Sequence, residues 1–419
     1  MAAWCPSASL YSGCRRLAAA WLPLLLLPLL LLLALPAWAA QPLQPLLDAT
    51  PAGGLLKLAP GDYAGPALID RPIQVDGGGR ARLRGDGQST VLTVHTNFAV
   101  VRGLVISGSG ESHDRMDAGI LVEGDDNVIE GNALEDVLFG IHIRQGNGNR
   151  IAGNRVLGKD RSLGLRGDGL RLWNGRRNLI ENNVFSRVRD LTFANSPDNA
   201  IVGNRLRDGR YAMHFIFSPR ARVEGNDLAY TGTGIVVLYS PDLVIRGNRV
   251  AHALEAGAGI TFKESGQALV EDNEVLHCAI GLEANAPLED SAIITIRGNR
   301  FAHNILGMYF YGEKGGHRIV GNRFEHNLTQ VMVSARGAAS ANLWRDNYWS
   351  DYQGFDRDGD GVGDTPHETY IFADRIWLEN PMATFFRNAP ALELLDFLER
   401  LAPFSSPALI LRDPAPRMR

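Results

Sequence analysis

The strings "VIEGNAL", "RIAGNRV", "LIENNVF", "AIVGNRL", "RVEGNDL", "VIRGNRV", "LVEDNEV", "TIRGNRF", "RIVGNRF" and "LWRDNYW" recur along the chain and constrain its fold more than any other feature. Their core asparagines fall at 132, 154, 183, 204, 226, 248, 273, 299, 322 and 347, at intervals of 21 to 29 residues. In every copy an apolar residue stands three before the asparagine and another two after it. A second short apolar strand, such as "GIHI", "AMHFIF" or "GMYF", follows about eight residues on. Period-two alternation with no helical stretch between the turns specifies strands, not a helical or leucine-rich repeat. A coil of this length with three short strands is one rung of a parallel β-helix, in which each rung hydrogen-bonds to the next about 4.8 Å away.

The fold expected is therefore all-β: a right-handed parallel β-helix, a pectin-lyase-like solenoid, over residues 40–350. The repeated asparagine forms a stacked amide ladder and tolerates left-handed backbone angles. Strand neighbours alternate faces, so pairs such as Ile141/Ile143, Leu172/Leu170, Met213/Phe215, Ile260/Phe262 and Met308/Phe310 point into the coil. The stretch 55–85, with Gly and Asp at its turns, reads as capping and first rungs. Near the other end, 390–401 changes to helical spacing, with Leu392, Leu395 and Leu398 opposite Glu393, Asp396 and Glu399. That short helix and the extended tail after it make 351–419 a calcium-type loop followed by a partner-docking segment.

Residues 1–39 read as a signal peptide. Arg15 and Arg16 precede an apolar run from Leu17 to Leu35, and Ala37-Trp38-Ala39 places small residues where a signal peptidase cuts, after Ala39. An uncleaved membrane anchor is the alternative. Cleavage removes Cys5 and Cys14, leaving Cys278 with no partner for an internal disulfide. It also removes two of 42 basic residues and none of 46 acidic ones, for a net charge near −6. That charge argues against a nucleic-acid partner.

Three outward features carry chemistry. Along the second strand, an apolar and aromatic strip that includes Trp173, His214, Ile216 and Tyr309 suits a protein or glycan partner, or else is covered by the chain's own C-terminal segment. Four residues past the ladder asparagine, His252, His277, His303 and His326 repeat on four consecutive rungs. Imidazoles at rung spacing are copper-ligand candidates, beside Cys278 if its thiol turns outward. The alternative is a polar turn column, with Cys278 at the inner position that Asn304 and Asn327 occupy on later rungs. Finally, Asp114, Asp117, Asp168 and Asp190 are the carboxylates a sugar-acid enzyme would use, with Asp168 and Asp190 placed to hold calcium. No tightly spaced acid cluster with a matching base is visible among them.

"FDRDGDGVGDTPHE", 355–368, sets Asp356, Asp358 and Asp360 at alternate positions, then Gly361 and Asp364, as an EF-hand-type calcium loop does. The twelfth position holds His367 where a bidentate acid belongs, and no helix pair flanks the loop. It reads as a structural Ca2+ staple at the solenoid's end, not a sensor.

"DAGILVEGDDNVIEGN" (117–132), "GDGLRLWNGRRNLIENN" (167–183), "YAMHFIFSP" and above all "NYWSDYQGFDRDGDGVGDTP" (347–366) resemble the periplasmic NosD family of nitrous-oxide-reductase maturation proteins. The resemblance runs from about residue 42 to "DPAP". It implies a non-enzymatic periplasmic protein that works with the membrane and ATPase subunits of an ABC transporter and with a copper-delivering lipoprotein. Together they assemble the copper-sulfur centre of nitrous oxide reductase, with copper as transient cargo and membrane contact only through the transporter. His367 departs from the aromatic residue expected after that proline. The alternatives are a carbohydrate-active β-helix enzyme (uronate lyase or epimerase) and a calcium-stabilised adhesin or binding module.

Overall fold

Each rung's short strands carry an apolar residue flanked by polar ones, and in three dimensions those central residues stack. The computed structural model describes residues 40–371 apart from 254–256, 286–291, 313–314 and 335–338, together with 408–418 and the isolated Pro390, Leu394, Phe397 and Leu398. It is a parallel β-solenoid of about 13 turns, nearly all sheet. The chain divides after Gln41, and the solenoid belongs to the part from Pro42 onward. The signal-peptide segment lies outside the described residues. No helix among the described residues is long and apolar enough to cross a membrane.

Strand pairs with strand in parallel from rung to rung, with register shifts between Asp76 and Ala81, Glu135 and Val137, and Asp190 and Thr192. On one face Ile129 pairs with Ile151, and Ile151 with Ile180; on the next Leu134 pairs with Val156, and Val156 with Phe185. The inner pairs expected from the sequence are all within 2% of complete burial. The core is thus a continuous column of branched aliphatic and aromatic side chains. Toward the C-terminal end it becomes an aromatic stack, Phe301 on Phe324 at 5.6 Å and Phe324 on Trp349 at 4.3 Å.

The asparagine ladder is present on all ten rungs. The Asn226 backbone N–H donates to Asn248 Oδ1 at 2.9 Å, and its Nδ2 donates to the same oxygen at 2.8 Å and to the Ile201 carbonyl at 2.9 Å. Each buried amide therefore satisfies a turn that the parallel strands leave unpaired. One expectation is corrected. The left-handed angle falls on the residue before the ladder asparagine, as at Asn182 (φ 54°), Gly225 (φ 62°) and Asp272 (φ 53°), which is why Gly, Asn and Asp alternate there. A second ladder, five residues earlier, links Asn127, Asn149, Asn178 and Asn199. A serine ladder links Ser196, Ser218, Ser240 and Ser265.

Both ends of the solenoid are closed. A five-residue helix, Gln44–Asp48, with Leu47 buried, starts the coil. At the far end His367–Ile371 pairs antiparallel with Ala408–Asp413. The tail beyond this strand, expected to extend a docking contact, instead turns onto the last rung: the Arg417 N–H donates to the Asn347 carbonyl at 2.8 Å. The reason is the buried Asp413, which continues the asparagine ladder. Within 390–401, Pro390, Leu394, Phe397 and Leu398 are helical and exposed, while Leu392 and Leu395 lie outside the described residues.

Candidate metal centre

The four histidines share one backbone conformation. His252, His277, His303 and His326 have φ of 59°, 54°, 57° and 52°, so each occupies the same left-handed turn. Rung spacing then stacks their rings: centroids are 5.2, 5.2 and 5.5 Å apart and neighbouring planes lie within 20°. Tyr230, one rung earlier, stacks on His252 at 4.7 Å. The residues just before them, Ala229, Ala251, Leu276 and Ala302, form their own buried apolar cluster, separate from the core. His277, His303 and His326 are exposed.

Cys278 does not join them. Its thiol faces inward and is 1% exposed. Burial pushes its pKa up to about 11, and its Sγ donates to the Leu276 carbonyl at 3.3 Å. The Cys278 N–H donates to Asn304 Oδ1, and the Asn304 N–H to Asn327 Oδ1. Cys278 thus holds the inner position its sequence phase also allowed, where a thiolate ligand is disfavoured.

Among the described residues, the one trio of His, Cys, Asp or Glu with ligand atoms within 4.8 Å of one another is Asp356, Asp358 and Asp360. The loop folds on its own carboxylates: Asp356 accepts from the N–H groups of Gly359 and Gly361 at 2.7 and 3.0 Å. Asp364 stands apart and accepts from the Arg357 N–H at 3.0 Å. It holds the ninth loop position, which in such loops often reaches the ion through water. The loop is tied to the end cap, since Gly363 donates to the Pro416 carbonyl at 2.8 Å and Met418 to the Gly361 carbonyl at 3.0 Å. His367 fills the slot where an aromatic residue was expected, stacked on Trp349 at 4.6 Å, and burial lowers its pKa.

The outward strip is only partly open. Trp173, His214, Ile216 and Tyr309 are all half-buried. Trp173 and Ile216 share one register column two rungs apart, and His214 lies in the neighbouring column that reaches Tyr309 four rungs later. Sequence spacing did not reveal the ionic network beneath. Asp168 accepts from Arg189 at 3.1 and 2.9 Å and from Arg171 at 3.1 Å. Asp190 takes a two-pronged contact from Arg210 and the Tyr211 N–H at 3.0 Å. Asp117 is paired with Arg115, and Asp114 is exposed. Burial pushes the Asp168 carboxyl upward. These saturated pairs leave Asp168 and Asp190 no open face for calcium, which corrects that expectation. A stacked pair, Phe217 and Tyr239, 5.0 Å apart and exposed, was also missed; its signal was the 22-residue spacing of the rung.

Residues 153–354 match the family model for NosD, described as a periplasmic copper-binding protein. A relative from Pseudomonas aeruginosa, named a probable ABC transporter binding protein NosD, is 33% identical over 93% of this chain and 94% of its own length. One of the same name from Stutzerimonas stutzeri is 27% identical over 83% of each. Among solved structures, the A-module of a mannuronan C-5 epimerase from Azotobacter vinelandii superposes with a TM-score of 0.52 at 11% identity, covering 70% of this chain and 90% of that one. The catalytic domain of an α-1,3-glucanase gives 0.53 at 12%, covering 69% and 65%. At such identity these two share the fold alone.

Proposed function

The chain belongs to the NosD family, and from that membership we propose a periplasmic accessory protein that carries copper for assembly of the copper-sulfur centre of nitrous oxide reductase. It acts without catalysis, beside an ABC transporter and a copper-delivering lipoprotein. The observation that carries the reading is the column of four stacked imidazoles, in a chain whose family is described as copper-binding. Imidazole suits copper, and the rings stand outside the coil where cargo can be exchanged without opening the core. Ca2+ on the acidic loop is structural in this reading, because the loop is bonded to the end cap. Of the acids a carbohydrate enzyme would use, Asp168 and Asp190 are held by arginines and Asp117 is paired with Arg115, while Asp114 is exposed.

The test is copper binding by the purified protein and by the double variant His277→Asn/His303→Asn. Asparagine is chosen because it tolerates the left-handed turn. Loss of copper with an unchanged circular dichroism spectrum supports the reading. Equal binding by both proteins removes it. In cells, the same variant should leave the reductase deficient in its copper-sulfur centre.

A further inference from the structure

The histidine column has no unique site. Two metal–nitrogen bonds of about 2.0 Å span about 4 Å, whereas the ring centroids of neighbouring histidines, one rung apart, are separated by 5.2 to 5.5 Å with their planes nearly parallel. No three of the histidines bring their nitrogens within 4.8 Å of one another. An ion therefore engages one ring, or two after a swing about the side-chain torsions. It finds the same choice on the next rung, because all four turns share one backbone conformation. We propose that the column is a track and not a single chelate: copper moves between successive imidazoles and is exchanged at the His326 end. This rests on the copper reading above.

The two ends differ. At the early end the Tyr230 ring covers the face of His252 at 4.7 Å. At the late end no ring stacks beyond His326 among the described residues. The next place in the count falls on the exposed Asp351. Ile305 and Leu328, two residues after His303 and His326, are 50% and 49% exposed, whereas Ala279, the equivalent residue after His277, is small and nearly buried. The late end thus joins open ligands to an apolar rim. Beneath the column the buried alanines and Leu276 offer no competing ligand. Movement needs ligand exchange alone, with no change in the oxidation state of the ion.

The experiment follows copper(I), presented anaerobically on a competing coloured chelator, into the purified full chain and into three variants. His252→Asn and His326→Asn should each lower bound copper by one step without abolishing it. His326→Asn alone should also slow uptake severalfold. His277→Asn/His303→Asn should leave only the isolated end rings and lose most of the copper. If either single variant abolishes all binding, the site is one compact chelate: the track is wrong and the copper reading stands. If the double variant binds like the parent, the copper reading itself fails. If the two single variants slow uptake equally, the assigned end is wrong and the proposal falls.

Discussion

Asp413 stands where an eleventh ladder asparagine would: its Oδ2 accepts from the Asn347 backbone N–H at 3.1 Å and from Asn347 Nδ2 at 2.9 Å. The same oxygen takes Trp349 Nε1 at 3.1 Å. A parallel solenoid ends in a row of unpaired groups that invites edge-to-edge association. Here the end is closed by a residue from the far side of the chain.

Replacing Asp413 with alanine leaves the Asn347 N–H and Trp349 Nε1 without an acceptor, and takes one of two acceptors from Asn347 Nδ2, which keeps the Ile319 carbonyl. Each unpaired donor costs about 1–3 kcal/mol, so Asp413→Ala should destabilise the last rungs by several kcal/mol, read as a lower melting temperature and faster hydrogen exchange over 319–349. Asp413→Asn keeps the accepting oxygen and continues the ladder in its own chemistry. It should cost far less, and equal losses in the two variants would show that the ladder contact is not what closes the end.

The acidic loop should hold that cap through an ion. With Asp356, Asp358 and Asp360 converging and Gly361 and Gly363 bonded to residues 416 and 418, bound Ca2+ stabilises loop and cap together. At a hundredfold excess over its dissociation constant the gain is about 2.7 kcal/mol. Chelator should lower the parent's melting temperature and leave Asp358→Ala unmoved. Identical melting curves for the parent with and without chelator would end the claim.

Legibility in the sequence followed repetition. The ladder asparagines and inner pairs recur at rung spacing, so a period alone places them. The second ladder was equally periodic, five residues earlier, and needed only a second alignment. Asp413 was hidden for a different reason: it lies 66 residues from Asn347 and occurs once, and no period reports a singular long-range contact. Asp168 is a different case: its arginines come from its own rung and the next, and spacing does not tell a buried ion pair from an exposed one. As for the histidines, spacing placed them on four consecutive rungs. It could not show that Cys278 faces away from them.

His142 sets an acid limit on stability. It is 5% exposed, and burial, with Arg171 beside it, lowers its pKa from 6.5 to about 4. The unfolded chain therefore binds a proton below about pH 6.5 that the folded chain refuses until about pH 4, so stability falls as pH falls through that window. Near pH 4.5 the loss is about 2–3 kcal/mol. His142→Gln should remove this part of the acid sensitivity. Urea titrations of parent and variant near pH 7 and pH 4.5 measure it, and a variant that loses as much stability as the parent would show that another group is responsible.

The C-terminal segment divides into two roles. Ala408–Met418 belongs to the solenoid, through its strand, Asp413 and the contacts to the acidic loop. Truncation after Asn388 removes that cap and should therefore destabilise the last rungs, whatever else it does. The segment before it presents Leu394, Phe397 and Leu398 to solvent. Exposed apolar residues such as these suit a partner better than water. The proposal that this segment docks on a transporter is tested by substitution: Leu394→Ser/Phe397→Ser/Leu398→Ser should keep the parent's melting temperature, because these side chains are exposed, and should lose co-purification with the transporter subunits. If the triple variant melts early, the segment is part of the cap. If it melts normally and still co-purifies, the attachment lies on the strip of Trp173, His214, Ile216 and Tyr309, and charge substitutions there should break it instead.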